Sequence, residues 1–495
     1  MLARVRSATL SGVEAIPLTV ECDISQGLPG IHTVGLPDAA VRESADRVRA
    51  AIRNAGFTVP PRRVTISLAP ADLRKQGAGL DLPIALGILV ANGDVPPGRL
   101  ADLLVIGELA LDGAVRSVPG CLPAALLARD RGIDEIVVPR PNRDEALAVP
   151  GPGVHGVERL LDAVAVLRGE RPPERAAAAT FQAPPRDGGP DLAEVKGQAH
   201  ARRALEVAAA GGHHLLMVGP PGCGKTMLAR RLPGILPPLS LDEAVEVTCV
   251  YSAAGLLRDP GLVRRRPFRA PHHTISGVGL VGGGRGPRPG EVTLAHRGVL
   301  FLDEMAEFGR GTLDVLRQPL EDGLVVITRA GQATRMPCRF VLVGAMNPCV
   351  CGNLGRSDRP CACTPAQVAQ YRSRVSGPLL DRFEIQVEVP PVPLKDLAKA
   401  SPGEPSADVA GRVAAARRER ERGGEPPVSG SARAILHRAI QGLGLSARAH
   451  DAVLRVARTI AHLEASASIE AAHVAEAIQY RCFDRSPVPP EARQG

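Results

Sequence analysis

Short, mostly apolar runs alternate with helical stretches through the middle of the chain. The predicted strands cover residues 213–218, 299–302, 340–345 and 383–389. Apolar runs without polar alternation are typical of strands that are buried on both faces of a parallel sheet. A predicted helix over residues 199–210, closed by two glycines, precedes the first strand. The pattern therefore predicts a wound α/β domain with a parallel sheet.

Two regions of different character flank this domain. A segment rich in Pro, Ala, Gly and charged residues precedes it. This segment has no periodic apolar pattern that could form a packed face, which is typical of a linker. From residue 431 onward the pattern is helical, with amphipathic stretches at 432–440, 450–463 and 469–480. The predicted boundaries are 1–170 for a first domain, 171–190 for the linker, 191–395 for the α/β core and 396–495 for a helical domain.

A glycine-rich octapeptide joins the first strand of the core to a helix start. It reads Gly219, Pro220, Pro221, Gly222, Cys223, Gly224, Lys225, Thr226. This is a phosphate-binding P-loop: backbone N–H groups converge on the phosphates, Lys225 reaches the β- and γ-oxygens, and the Thr226 hydroxyl is a Mg²⁺ ligand. Lys225 is one of five lysines among 60 Lys and Arg, and a compact ammonium suits this site. The Cys223 side chain has no required role. The loop predicts ATP and Mg²⁺ as ligands.

An acidic pair and an asparagine follow the next two predicted strands. Asp303 is predicted to hold Mg²⁺ through water, and Glu304 to orient the attacking water, so that the pair indicates a hydrolase. Asn347 either senses the γ-phosphate or caps a turn before Pro348. Its place beside the acidic pair favours the sensor role.

Two arginines are candidates for completing the nucleotide site. Arg382 lies in the loop before the last predicted strand, where it can reach the nucleotide of a neighbouring subunit as an arginine finger. Arg448 begins a helix of the C-terminal domain and either closes onto the same nucleotide or is a solvated helix-start arginine.

Two inserts interrupt the predicted sheet. Residues 275–296 form a glycine-rich, basic stretch that we expect to be a flexible loop, and residues 325–335 read as a β-hairpin. In a ring-shaped ATPase both could point into the pore and hold a phosphate backbone, and the alternative is that both are disordered or packing loops. His272 and His273 precede the first insert. With no carboxylate or thiolate at ligand spacing, they are interpreted as core or loop histidines.

Four of the ten cysteines fall in two close pairs. They are Cys349, Cys351, Cys361 and Cys363. Four thiolates at this spacing suit a structural Zn²⁺, which we favour over four free thiols or a disulfide.

Bulk composition limits the partners. A net charge of +8 permits a polyanion but is weak evidence for one. With no Trp, three Tyr and eight Phe, the composition argues against a base-stacking platform, so we expect any nucleic-acid contact to run through phosphates and backbone amides. The longest apolar run, residues 82–91, is too short to span a membrane. No signal-like stretch follows the first arginines, so we expect a cytoplasmic protein without membrane contact.

Five motifs, in this order, closely resemble the YifB/ComM family of magnesium-chelatase-like AAA+ ATPases. They are GPPGCGKT, FRAPHHTISGVGLVGGG, LFLDEMAEF, GAMNPCVCG with CAC downstream, and SGPLLDRFEIQVEVP. The resemblance implies an AAA+ core with a helical lid, assembly into a homo-hexamer and ATP between subunits. It also implies a DNA motor of the ComM type, which acts on single-stranded or branched DNA and promotes branch migration in natural transformation.

The first domain resembles the Lon-protease-like α+β fold of this family. A Lon-type protease needs a Ser activated by a Lys. The matching positions fall near Gly77 and Ala124, so both groups are missing and a non-proteolytic domain is predicted. Two other functions stay open: a chelatase motor that remodels a partner protein, and an ATP-dependent protease. The first domain and the cysteine cluster argue against the former, and the missing dyad against the latter.

Overall fold

The computed structural model describes most of the chain. The described residues are 2–71, 75, 77–176, 181, 189–259, 261–284, 287–329, 332–356, 358–392, 402–443 and 446–482. Among the helices of these residues, none is both long and apolar enough to cross a membrane.

A seven-stranded mixed sheet organises the N-terminal region. Its strands are β1 Leu2–Ser11, β2 Glu14–Ser25, β3 Gly30–Val34, β4 Arg63–Ala69, β5 Leu103–Val105, β8 Glu135–Pro139 and β9 Gly153–Val157. The order across the sheet is β3-β4-β2-β1-β5-β8-β9, with β1, β2 and β4 antiparallel and the other pairs parallel. A small ladder joins β6 Glu108–Leu109 to β7 Val115–Arg116. The helices are α1 Ala39–Asn54, α2 Asp81–Asn92, α3 Cys121–Asp130, α4 Arg143–Leu147 and α5 Leu160–Leu167.

The apolar run at residues 82–91 forms α2, the central helix of this region. Its residues from Asp81 to Ala91 are buried, as expected for a helix that is apolar on all sides. At Gly87 a Cβ atom would lie 2.5 Å from the Cys22 sulfur, so the missing side chain lets the helix approach the sheet. The buried Asp81 carboxylate accepts two hydrogen bonds from Arg47, at 2.7 and 3.1 Å.

A five-stranded, fully parallel sheet forms the core of the central domain. Its strands are β10 Leu215–Val218, β11 Phe268–Arg269, β14 Val299–Leu302, β17 Val341–Met346 and β18 Ile385–Glu388, in the order β11-β14-β17-β10-β18. The helices around it are α6 Ala199–Gly211, α7 Lys225–Ala229, α8 Leu232–Ile235, α9 Leu241–Ala253, α12 Arg310–Asp314, α13 Arg317–Asp322, α14 Pro365–Arg372 and α15 Gly377–Leu380. Because all strands run the same way, their carboxyl ends meet at one edge, which confirms the predicted α/β architecture with a parallel sheet.

The glycine-rich insert is more ordered than the sequence suggested. The expectation of a flexible loop over 275–296 is wrong for its described residues, which include α10 Gly277–Val281, α11 Glu291–Leu294 and a ladder of β12 Gly282–Gly283 with β13 Arg288–Pro289. The Ser276 hydroxyl accepts a hydrogen bond from Gly279 N–H and caps α10. Leu280 and Val292 are buried and anchor the two helices. The predicted hairpin is present as β15 Leu324–Arg329 and β16 Gln332–Pro337.

Four helices form the C-terminal region, and the sequence interpretation missed the first. Within the described residues 402–443 and 446–482 they are α16 Ser406–Arg422, α17 Gly430–Leu443, α18 Ala447–Leu463 and α19 Ala471–Gln479. The α16 helix is rich in Arg and Glu, and only a narrow stripe that includes Val409 and Val413 is buried against the core. Because this stripe is narrow, the periodicity of apolar residues along α16 is too weak to predict the helix from sequence. The predicted boundary at 395/396 lies outside the described residues.

The N-terminal region packs directly against the central domain. The N–H of Gly120, at the start of α3, donates to the backbone oxygen of Ser252 in α9 at 3.0 Å. The turn between β1 and β2 reaches the hairpin, where a Cβ on Gly12 would lie 2.5 Å from Thr334 Cγ2. Part of the predicted linker also packs, because Glu174 pairs with Val154 of β9. The boundary at 170/171 therefore stays a prediction.

His213 connects the start of β10 to the C-terminal helices and predicts an acid sensitivity. Its Nε2 lies 2.8 Å from Thr459 Oγ1 of α18, and burial lowers the pKa of His213 from 6.5 to about 4. Between pH 6.5 and pH 4, His213 binds a proton in the unfolded chain but stays neutral in the folded one. The free energy of unfolding therefore falls as the pH drops through this range. We expect His213 to reduce the free energy of unfolding by about 2 kcal/mol between pH 7 and pH 5. Urea unfolding at both pH values should show a smaller difference for His213→Gln, and an equal difference would contradict this role.

Candidate nucleotide-binding and hydrolysis site

The P-loop connects β10 to α7 at the carboxyl edge of the central sheet. Gly222 and Gly224 have φ of 79° and 96°, which glycine adopts without strain. A Cβ on Gly219 would lie 2.1 Å from the Val389 backbone oxygen, so only glycine allows this approach to the strand beside it. The local sequence therefore dictates a loop whose backbone turns tightly at the start of α7.

The Lys225 side chain is buried, and its ammonium group lies against the backbone of this loop. Its Nζ donates to the backbone oxygens of Gly219 at 2.6 Å and Pro220 at 2.9 Å. The Asn347 side-chain oxygen lies 3.3 Å from the same Nζ. All three acceptors are neutral, so these contacts leave the positive charge uncompensated, as a phosphate site requires. Cys223 is buried with its sulfur 3.7 Å from Lys225 Nζ, and contributes packing.

Thr226 and Asp303 meet across the site. The Thr226 hydroxyl donates to Asp303 Oδ2 at 2.7 Å. The Asp303 carboxylate directly follows β14, which lies two strands away from β10 in the sheet. A hydroxyl and a carboxylate oxygen are the hard ligands that Mg²⁺ takes beside nucleotide phosphates. The residues present therefore fit the expected Mg²⁺ position.

Glu304 has an unusual backbone. Its φ of 49° and ψ of 46° place a non-glycine residue in the left-handed region, at an energetic cost of order 1 kcal/mol. The Glu304 N–H donates to Asp303 Oδ1 at 3.0 Å, which holds the turn. The Glu304 carboxylate is more than half exposed, so it lies where water can reach it.

The sequence interpretation missed His273 as a neighbour of Glu304. His273 Nδ1 lies 3.9 Å from Glu304 Oε2, although no carboxylate is near it along the chain. The cause is β11, which pairs in parallel with β14 and brings the residues that follow each strand to the same edge. The His273 ring also contacts Phe308, with centroids 6.4 Å apart. Recognising Phe268–Arg269 as a strand would have revealed this neighbour.

Asn347 follows β17, the strand between β10 and β14. This position explains how its side-chain oxygen comes within 3.3 Å of Lys225 Nζ. The structure thus brings together Lys225, Thr226, Asp303, Glu304 and Asn347, as the sequence predicted. Their roles in catalysis stay predictions.

Arg382 and Arg448 lie together, away from these contacts within the chain. The Arg382 guanidinium contacts the Glu321 carboxylate of α13, and Arg448 Nη1 lies 3.7 Å from Asp381 Oδ2. Burial, with the nearby charges of Arg448 and Arg317, lowers the pKa of Arg382. The two arginines therefore form one arginine cluster, in which each guanidinium is paired with a carboxylate.

The four predicted cysteine ligands converge on one point. Sulfur separations are 3.5 Å for Cys349–Cys351, 3.7 Å for Cys349–Cys361 and 3.6 Å for Cys351–Cys361, and all four sulfurs lie within 4.8 Å of one another. Tetrahedral zinc with Zn–S bonds of about 2.3 Å requires about 3.8 Å between sulfurs. These separations rule out a disulfide in this structure, where all four cysteines are free. The cluster is compatible with zinc.

Comparisons with known proteins give one family for the whole chain. A family profile described as "Magnesium chelatase, subunit ChlI" matches residues 191–397, "Subunit ChlI of Mg-chelatase" matches 20–142, and "Magnesium chelatase, subunit ChlI C-terminal" matches 403–481. The chain is 44% identical to "Uncharacterized protein YifB" of Escherichia coli and 42% identical to "Competence protein ComM" of Haemophilus influenzae, over 98% of each chain. It is 26% identical to "Magnesium-chelatase 38 kDa subunit" of Cereibacter sphaeroides, over 39% of this chain and 57% of that one. The chain belongs to the YifB/ComM family of magnesium-chelatase-like AAA+ ATPases.

Proposed function

We propose that this protein is an ATP-driven DNA motor that acts as a cytoplasmic homo-hexameric ring and promotes branch migration of recombination intermediates in natural transformation. Family membership implies ATPase activity. The observation that carries the hydrolytic part is the convergence of Lys225, Thr226, Asp303, Glu304 and Asn347 at one sheet edge. The DNA part is supported by the likeness to a competence protein and by the position of the two inserts.

We propose a role for each residue at this edge. Lys225 binds the β- and γ-phosphate oxygens, while Thr226 and Asp303 would hold Mg²⁺. Mg²⁺, when bound, neutralises charge on the phosphates. Glu304 orients a water for in-line attack on the γ-phosphorus as the bond to the β–γ bridging oxygen breaks. Asn347 contacts the γ-phosphate and fixes the position of that water.

The arginine cluster supports the proposal of a ring. Arg382 and Arg448 are partly exposed, and their carboxylate partners Glu321 and Asp381 can be exchanged for a phosphate. We assign Arg382 to the nucleotide of the adjacent subunit, where it stabilises charge on the transferred phosphoryl group. Arg448 contacts the same nucleotide as a second sensor.

The two inserts form one continuous surface that is suited to a phosphate backbone. A Cβ on Gly282 of β12 would lie 3.5 Å from Ile327 Cδ1 of β15, so the insert and the hairpin lie side by side. Arg288 and Arg335 are exposed on these two elements. Exposed guanidiniums beside glycine-rich backbone can contact phosphates without reading bases. We propose that this surface lines the ring's pore.

Charge reversal tests the DNA surface. The double variant Arg288→Glu, Arg335→Glu should weaken binding of single-stranded DNA. The slope of log Kd against log salt concentration should also fall, by the amount expected for the loss of about two phosphate contacts. Arg418→Glu on α16, which is also exposed, is the control and should bind DNA almost as the wild type does. If the double variant keeps both its DNA affinity and its DNA-stimulated ATPase rate, the proposed pore surface is wrong.

A chelatase-type motor acting on a protein partner is the second candidate. The profiles named after subunit ChlI favour it, and one of them covers residues 20–142, so the N-terminal region does not argue against a chelatase. The cysteine cluster still does. Co-purification with a large porphyrin-binding protein, without stimulation of ATP hydrolysis by DNA, would favour this function over the DNA motor.

For the N-terminal region we propose a non-proteolytic domain of the Lon-protease-like type. Ala124 is buried in α3, and the Gly77 N–H donates to Asp38 Oδ2 at 3.1 Å. Neither position offers a nucleophile or a base. The packing of Gly120 on Ser252 supports a role in assembly of the ATPase core.

A further inference from the structure

We propose that the four-cysteine cluster is a zinc site that supports the P-loop, so that zinc occupancy sets nucleotide affinity and bound nucleotide slows zinc loss. The proposal rests on the nucleotide binding assigned above, and not on DNA. Its ligands are Cys349, Cys351, Cys361 and Cys363. The first three sulfurs lie 3.5 to 3.7 Å apart, close to the separation in tetrahedral zinc sites, and all four lie within 4.8 Å of one another.

The cluster lies at the end of the strand that carries the sensor asparagine. Cys349 comes two residues after Asn347, and the Cys349 backbone oxygen accepts a hydrogen bond from Gly352 N–H at 3.1 Å. This turn gives Gly352 a φ of 76°. A metal bound by Cys349 and Cys351 would therefore fix the turn between Asn347 and Gly352.

Gly352 packs directly against Pro221 of the P-loop. A Cβ at this position would lie 2.7 Å from Pro221 Cδ and 3.0 Å from Pro221 Cγ. The proline ring is rigid and follows Pro220, whose backbone oxygen binds Lys225 Nζ. The contact therefore links the cysteine turn to the backbone that holds Lys225.

Two further contacts connect the same segment to the loop. The Gly219 N–H donates to the Met346 backbone oxygen at 3.2 Å, and Lys225 Nζ lies 3.3 Å from Asn347 Oδ1. The segment from Met346 to Gly352 thus touches the P-loop at its beginning, its middle and its lysine.

Apolar packing contributes little to the order of the cysteine loop. Cys349 is buried, but most described residues from 353 to 363 are exposed or half-buried. Coordination by four thiolates can supply the free energy that such a loop lacks. Because binding free energies at two coupled sites are reciprocal, whatever zinc adds to nucleotide affinity, nucleotide adds to zinc affinity.

Two glycines of the loop give a matched test in the full-length protein. Gly352→Ala introduces a Cβ against Pro221, whereas at Gly355, with φ of 83°, no described atom lies within 4 Å of the Cβ position. Both variants keep the four thiols and carry the same kind of backbone strain. We expect Gly352→Ala to retain about one zinc per chain and to bind ADP about tenfold more weakly by calorimetry. Gly355→Ala should change ADP affinity by less than about twofold.

Pro221→Ala removes the proline ring from the other side of the contact and should also weaken ADP binding at normal zinc content. Equal ADP affinity in wild type, Gly352→Ala and Pro221→Ala would overturn the coupling. If the purified, reduced wild type holds no zinc, the metal site is overturned as well.

Zinc release gives the reciprocal measurement. With a chromophoric chelator in excess, Mg²⁺ and ADP should slow zinc release from the wild type by about fivefold or more, and should not slow it in Lys225→Ala. Release that is independent of ADP would contradict the proposal. A wild type that binds no ADP would also overturn the proposed ATPase function. If the protein shows this coupling but does not respond to DNA, only the proposed DNA motor function is wrong.

Discussion

Replacing Lys225 by alanine is expected to abolish ATP hydrolysis and to weaken binding of ATP strongly. The Lys225 ammonium is buried and its oxygen contacts are neutral, so its charge is left for the phosphates that we propose it binds. Loss of one preorganised charge at a phosphoryl-transfer site lowers turnover by at least about 100-fold. Phosphate release measures the turnover, and calorimetry with a non-hydrolysable ATP analogue measures the affinity.

Lys196→Ala is the matched control for this experiment. Lys196 is another of the five lysines, lies ahead of α6 and is exposed, so its loss removes the same charge from the protein but leaves the buried contacts of Lys225 in place. We expect its turnover to equal that of the wild type within about twofold. Substantial hydrolysis by Lys225→Ala would show that the nucleotide binds elsewhere.

Glu304→Gln is expected to separate binding from hydrolysis. Glutamine keeps the shape of the side chain and the left-handed turn at φ of 49°, but it removes the negative charge that we propose orients the water. Turnover should fall by about 100-fold or more, a typical effect for a residue that activates the nucleophile. Affinity for ATP should stay near that of the wild type, because Lys225 and Thr226 are unchanged.

Glu307→Gln supplies a control from the same turn. Glu307 lies three residues further along, and its carboxylate pairs with Arg374 at 3.0 Å on the surface. This variant should hydrolyse ATP at close to the wild-type rate. If Glu304→Gln and Glu307→Gln behave alike, Glu304 does not activate water, and another group has that role.

The sequence was sufficient to predict those site residues that directly follow a fully buried strand of four or more residues. The P-loop, Asp303 and Asn347 each follow a run of apolar residues, and parallel pairing then brings them to one edge. Their convergence needs no information beyond strand direction. The cysteine cluster was also predictable, because the four thiols lie close together along the chain.

Features that depend on short elements or on contacts between distant segments were not predictable. The strand β11 has two residues, too few to show a period, so the approach of His273 to Glu304 was hidden. Glycine-rich sequence suggested flexibility at the insert, but burial of Leu280 orders its first helix. Contact of Gly352 with Pro221 joins residues that are far apart in sequence, and no local pattern encodes it.

Movement of a three-strand DNA junction by the purified protein tests the central claim most directly. Wild type, Lys225→Ala and Glu304→Gln should be compared at equal protein concentration, with ATP hydrolysis followed in the same reactions. We predict that DNA stimulates hydrolysis by the wild type, that the wild type moves the junction only with ATP and Mg²⁺, and that both variants fail to move it. A folded, hydrolytic wild type that neither responds to DNA nor moves the junction would contradict the proposed motor.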